Sequence, residues 1–203
     1  MRGVGGTLEL YLASTSPRRR ELLARAGVRF ALCEPGPEYA PGSVDEHASE
    51  HGDPARLAEQ RATRKGEGAL VPDAAVPVLA VDTVVDLEGR ELGKPRDRAQ
   101  AAAMLGELAG RAHRVHTAHY LRHVASGRSA LRLATAEVEC GVPDAGDLER
   151  YLDSGQWRGK AGSYGLQDDA QSFFRVVRGS FDTVVGLHVP AVRELLALLR
   201  GGA

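Results

Sequence analysis

The run "VPVLAVDTVVDL" (Val76–Leu87) limits what this chain can fold into more than any other stretch. It is almost continuously apolar, the mark of a central strand buried on both faces. One carboxylate interrupts it: Asp82 follows four apolar residues, Val78 to Val81. A carboxylate buried there is costly unless a cation, a proton or a hydrogen-bond network answers it. Two readings are open, a structural aspartate capping the strand or a functional acid.

The flanking sequence supplies the other elements. Leu8, Leu10 and Leu12 alternate as in a strand. Ser16-Pro17 then gives an N-cap and a proline at the first helical position, Leu22, Leu23 and Ala26 form a buried stripe, and Gly27 stops the helix. "VRFAL" (Val28–Leu32) reads as a second strand. The segment from Glu34 to His51, rich in proline and acids, reads as a loop. Asp53-Pro54 opens a helix to about Leu70, and Asp97 caps another that Gly110 ends. Two β-rich runs follow, His113–Leu121 and Leu131–Cys140, with a turn at Ser126-Gly127. Asp144 to Asp153 reads as helix, Gly155–Gln167 as a glycine-rich loop carrying the sole tryptophan, Trp157, and "SFFRVV" as strand. "FDTVVGL" reads as strand or loop, and an amphipathic helix runs from Pro190 to Leu199. Hairpins beside crossovers predict an α/β chain with a mixed twisted sheet in two lobes and a central cleft, all within one domain spanning residues 1–203.

The bulk properties exclude more than they assign. With 26 basic and 27 acidic residues the formal charge is −1, so neither a nucleic acid nor a membrane partner is indicated by charge. No stretch approaches the roughly 20 apolar residues of a membrane span. The opening "MRGVGGTLELYLAS" lacks the apolar run of a signal peptide, and the two cysteines, Cys33 and Cys140, fit neither a disulfide framework nor a zinc spacing. A cytoplasmic protein is expected. His116, His119 and His123 would share one face of a helix, but the alternation at Val115 and Thr117 argues for a strand, on which His116 and His119 point oppositely. A zinc site is therefore not expected.

"LASTSPRRRELLARAG" (Leu12–Gly27) packs hydroxyls and three arginines into the start of a helix. Cations are unfavourable beside the positive end of the helix dipole unless an anion neutralises them. Ser14, Thr15 and Ser16 add donors at the strand-to-helix turn, which suits a phosphate cradle. The alternative is a solvated basic helix start. No Gly-Lys-Ser/Thr P-loop pattern is present.

The same stretch resembles the opening signature of the Maf family, nucleoside triphosphate pyrophosphatases related in fold to the inosine triphosphate pyrophosphatases. "LAVDTVVDLEGRELGKPRDRAQAAAMLGELAGRAHRVHTA" resembles the family's central block, and "GKAGSYGLQ" and "GSFDTVVGL" its C-terminal blocks, so the similarity covers roughly residues 8–200. The resemblance implies that Asp82 is the catalytic proton acceptor. It implies a phosphate grip by Ser14, Arg18, Arg19 and Lys94, and substrate choice through Arg18, Thr83 and Gln167 on a loop that includes Lys160 and Gly162. It also implies a divalent cation, Mg²⁺ or Mn²⁺, on Glu46 of "VDE" and on Asp82. "ATRK" (Ala62–Lys65) matches a helical lysine motif, which selects Lys65 over Arg61 one turn away. Gln156 stands where the family commonly has glutamate. The loop resembles the dTTP/UTP branch of the family; the alternatives are 7-methyl-GTP as substrate, or a non-catalytic nucleotide-binding regulator of cell division. The resemblance leaves room for a homodimer.

Overall fold

The computed structural model describes residues 7–38 and 52–201. Among them the strands are β1 (Leu10–Ala13), β2 (Phe30–Cys33), β3 (Val78–Leu87), β4 (Arg90–Leu92), β5 (Ala112–His123), β6 (Arg128–Cys140) and β7 (Phe174–Arg178). The helices are α1 (Pro17–Arg25), α2 (Pro54–Glu67), α3 (Arg98–Leu108), α4 (Ala145–Ser154), α5 (Phe181–Val185) and α6 (Val189–Arg200). None is long and apolar enough to cross a membrane.

The strands form one mixed sheet in the order β2-β1-β3-β5-β6-β7, with β4 added beside β3. β1 lies parallel to β2 and β3, whereas β3, β5, β6 and β7 pair antiparallel in turn. β3 is central, as its apolar run predicts, and nine of its ten residues are buried.

One edge of β3 changes partner along its length. β1 pairs with it from Val78 to Ala80, and β4 pairs with it from Val85 to Leu87. Val81 to Val84 therefore face no strand on that edge among the described residues. On one face of β3, Leu79 and Val81 join a core with Leu22 and Leu23 of α1 and Val192 and Leu195 of α6. On the same face Val85 and Leu87 join a second core with Leu105 of α3, Leu152 of α4 and Trp157. Thr83 lies between the two. On the other face Val84 packs on Ala58 and Ala62 of α2. The two lobes thus share their longest strands, and the cleft opens where β3 loses a neighbour.

Several expectations need correction. "FDTVVGL" is neither strand nor loop, because Ser180 caps the short helix α5 by accepting from the Thr183 N–H. Five residues are too few for a helical period to show. Trp157 lies in the turn after α4, as read, but it is buried and donates through Nε1 to the Leu152 carbonyl at 2.8 Å, so it belongs to the core. β4 had no counterpart in the sequence reading, being only three residues long. The histidines sit on a strand as expected. His116 meets Asp86 and Thr135, while His119 accepts from the His188 N–H. Burial pushes the pKa of His119 down to about 3, which keeps this acceptor neutral.

A buried ion pair ties α2 to β4. Arg61 donates to both oxygens of Glu91, at 2.5 and 2.9 Å, with 3% and 7% of the two residues exposed. Losing one partner strands a buried charge, whereas replacing both with apolar residues of similar volume is commonly neutral or stabilising. Arg61→Met should therefore lower unfolding stability by about 3–5 kcal/mol. Arg61→Met with Glu91→Met should recover most of that loss, as read by denaturant titration.

Candidate active site

The cleft has a volume of about 400 Å³. It is lined by the Ala13–Arg19 turn, the Pro35–Glu38 segment, Lys65, Asp82, Thr83, Lys94 and the loop from Gly159 to Gln167. Open sheets bind ligands where adjacent strands part, because backbone and side chains from both faces become reachable there. Asp82 and Thr83 point to opposite faces of β3 and still meet the same cleft, since the edge beside them is open.

The turn between β1 and α1 ends with Ser16, an N-cap whose hydroxyl accepts from the Arg19 N–H at 3.5 Å, followed by Pro17. Arg19 is half-buried and its guanidinium is tied down, in contrast to a freely solvated helix start. Its Nε donates to the Gly186 carbonyl at 2.8 Å, Nη1 to Ser14 Oγ at 3.4 Å and Nη2 to Thr83 Oγ1 at 3.2 Å. Gly186 holds a left-handed φ of 115°, which favours glycine at this turn. Burial lowers the Arg19 pKa, and the carboxylates of Asp82 and Glu38 oppose that effect. A guanidinium has five N–H groups, so two remain, one on each terminal nitrogen. Ser14 Oγ accepts from both the Ser16 N–H and Arg19, which leaves its own proton to donate. The turn thus offers donors to an anion, and Arg18 stands beside them in the cleft wall.

Asp82, 3% exposed, answers the question its burial poses. Lys65 of α2 donates to its Oδ1 at 2.6 Å. Oδ2 is buried with no hydrogen-bond partner among the described residues. Lys65 and Asp82, both singled out in the sequence, thus meet in one ion pair. Arg61, one turn earlier on α2, serves Glu91 instead.

Glu38 is an acid of the cleft that the sequence reading did not single out. Its carboxylate meets Lys65 at 3.0 Å and Lys94 at 3.5 Å. Burial would raise its pKa, but Lys65, Lys94 and the more distant Arg61 outweigh that and hold it at about 2. Glu38 is thus ionised at neutral pH. Glu46, expected as a metal ligand, lies outside the described residues. No signal in the sequence separates the two acids, because a proline-rich loop has no periodicity to fix its register.

Close contact fastens Glu38 to α2. The Gly36 N–H donates to the Lys65 carbonyl at 2.9 Å, and Arg64 Nε donates to the Glu38 carbonyl at 3.2 Å. A Cβ on Gly36 would meet Gly68 Cα at 2.6 Å and the Arg64 carbonyl oxygen at 2.7 Å. Glycine is required by this crossing.

The opposite wall is held from behind. Tyr164 stacks on Phe174 with ring centroids 3.9 Å apart, and its hydroxyl lies 2.6 Å from His113 Nε2. Phe174 belongs to the core. Lys160 pairs with Asp168 and donates to the Gln156 carbonyl, so its ammonium orders the loop. Gln156 donates to Asp169 and accepts from the Asp169 N–H, a backbone-fixing role that also needs an amide donor. Gln167 stands exposed at the rim.

No group of three or more His, Cys, Asp or Glu side chains able to hold a metal ion occurs among the described residues. The donor set here is instead two carboxylates, Glu38 and Asp82, joined through Lys65. Asp82 contributes a buried, unpartnered oxygen. Hard cations such as Mg²⁺ take oxygen ligands and are commonly held by one or two carboxylates, the rest coming from phosphates and water. The residues present fit such an ion.

A mixed α/β sheet whose central strand carries a lysine-paired carboxylate opposite an anion grip defines a class of phosphate-handling protein. The chain belongs to the Maf-like protein family, whose model matches residues 9–199. It is 42% identical over 198 residues to a dTTP/UTP pyrophosphatase of Bordetella parapertussis, covering 94% of this chain and 91% of that protein. A dTTP/UTP pyrophosphatase of Cupriavidus pinatubonensis is 40% identical over 202 residues, covering 94% and 95% of the two chains. One of Symbiobacterium thermophilum is 36% identical over 205 residues, covering 96% and 98%.

The crossing at Gly36 makes a sharp test of Glu38. Gly36→Ala should leave the sheet and helices folded but shift Glu38 away from Lys65. A misplacement of about 1 Å at a reacting centre can cost about 10²-fold. kcat/KM with UTP is expected to fall on that scale, with a far-UV circular dichroism spectrum like that of the unaltered protein.

Proposed function

We propose that the protein hydrolyses dTTP and UTP to the nucleoside monophosphate and pyrophosphate, with a divalent cation, Mg²⁺ or Mn²⁺. The observation that carries this reading is the meeting, at one gap in the sheet, of a buried carboxylate and an anion grip. The names of the relatives support the choice of pyrimidine nucleotides.

Ser14, Arg18 and Arg19 bind the phosphates from the helix end, where donors and the helix dipole act together. Lys65 and Lys94 lie across the cleft and offset charge that develops on the phosphates, where fixed electrostatics do most of the work. Lys65 also fixes the orientation of Asp82 by holding Oδ1. Asp82 Oδ2 then remains to accept a proton from the attacking water. Glu38 and Asp82 would hold the cation, which supplies polarisation of the phosphoryl oxygens and neutralisation of their charge. Gln167 carries both an amide oxygen and an amide NH₂, so it can pair with the acceptor and donor groups of a uracil or thymine edge.

The reading is tested by phosphate release with added inorganic pyrophosphatase. UTP, dTTP, CTP and 7-methyl-GTP are compared side by side. Higher kcat/KM for UTP and dTTP is expected. A preference for 7-methyl-GTP would place the chain in the other branch, and nucleotide binding without turnover would make it a regulator. Asp82→Asn should reduce kcat by ~10²–10⁴-fold with the fold intact. Activity within twofold of the original at saturating metal would remove Asp82 from the mechanism.

A further inference from the structure

A chain of hydroxyls runs from the cleft into the sheet, and its direction can be deduced. Thr117 of β5 stands opposite Thr83 in the register with β3. It is fully buried. Thr117 Oγ1 lies 2.7 Å from the Thr183 carbonyl oxygen, which can only accept, so the single Thr117 proton is committed there. Thr117 Oγ1 also lies 3.1 Å from Thr83 Oγ1. With its own proton spent, Thr117 must be the acceptor in that contact and Thr83 the donor. Thr83 Oγ1 in turn receives Arg19 Nη2 at 3.2 Å. The order is therefore Arg19 to Thr83 to Thr117 to Thr183.

The path closes on itself through α5. Thr183 sits within that helix, and Gly186 follows its end and takes Arg19 Nε on its carbonyl. Arg19 is gripped at both ends of one ring of contacts. Were the proton of Thr83 free, that hydroxyl could rotate and turn it toward the guanidinium, replacing an attraction with a repulsion. Thr117 prevents this without itself lining the cleft.

We propose that Thr117 is a positioning residue of the phosphate grip. By accepting the Thr83 proton it makes Thr83 present only lone pairs to Arg19. That holds the guanidinium with its two uncommitted N–H groups available to a phosphate, a planar fork suited to bidentate binding. A corollary concerns Thr83 itself: it can accept from a substrate but has no proton left to donate. The proposal rests on the phosphate-binding reading of the cleft and is independent of turnover.

The test uses the full chain and two probes, inorganic tripolyphosphate and UTP, in buffer containing Mg²⁺. Tripolyphosphate carries no base, so it isolates the phosphate grip, and calorimetry reads its affinity without any reaction. Thr117→Val and Thr117→Ala both remove the hydroxyl, and Thr117→Ser keeps it. Val and Ala are expected to weaken tripolyphosphate binding by about tenfold, the scale of one hydrogen bond to a charged group. The KM for UTP should rise by a similar factor, with kcat changed far less. Ser should restore both values, and thermal melting shows which variants are folded. Val and Ala variants that are folded and bind tripolyphosphate as tightly as the original overturn the proposal. So does weakening confined to UTP, which would place the effect at the base, or failure of Ser to restore binding. If the original protein binds both probes but hydrolyses neither, the proposed activity fails while the role of Thr117 is still decided by the affinities.

Discussion

A carboxylate in the middle of a buried strand must be neutralised, and here one ammonium does it. Lys65 reaches Asp82 from α2 at 2.6 Å and Glu38 at 3.0 Å. Much of the surrounding structure serves that meeting. α2 packs on β3 through Ala58 and Ala62, residues small enough to bring the helix close. Gly36 and Gly68 let the Glu38 segment cross the end of the same helix. The gap between β1 and β4 leaves one side of Asp82 open. A buried pair of this kind is weak evidence for stability, because desolvation offsets much of the Coulomb attraction. Its consequence is a second carboxylate oxygen left without a hydrogen-bond partner beside the cleft.

The two faces of β3 do different work at that gap. Asp82 faces α2 and belongs to a lysine-rich half of the cleft. Thr83 faces the other way and belongs to the half built by α1 and α5, where Arg19 is fixed. Period-two alternation in a strand sends adjacent residues to opposite faces. Two consecutive residues can share a site only where the strand edge is exposed. The adjacency of Asp82 and Thr83 in sequence is thus a direct consequence of where β1 ends and β4 begins.

Local features of this fold were legible in the sequence. The apolar run around Asp82 marks β3, Ser16-Pro17 marks the start of α1, and the alternation from His113 onward marks β5. Each depends on neighbours within a few residues. Lys65, Lys94 and Arg19 were reached through the family resemblance, and the structure gathers them in one cleft. What stayed hidden depends on distant contacts. Glu38 sits in a loop whose register comes from its crossing with α2. α5 is too short to show a period, and β4 is only three residues long. Trp157 reads as loop because its burial depends on α4 and its neighbours rather than on its own surroundings in the chain. Arg61 and Lys65 look alike on one helix face, and only the positions of Glu91 and Asp82 separate their duties.

The Arg61–Glu91 pair has a consequence for how this chain can change over generations. A domain's net stability is commonly only about 5–15 kcal/mol. Exchanging either partner alone leaves an uncompensated charge in the interior and consumes a large part of that margin. Exchanging both for apolar residues is far milder. Drift at the two sites is therefore correlated: a lineage passes from a charged pair to an apolar pair by a double step, or by a first step taken when stability is in surplus. α2 carries Lys65 and β4 precedes Lys94, so the same pair also joins the two elements that bring these lysines to the cleft.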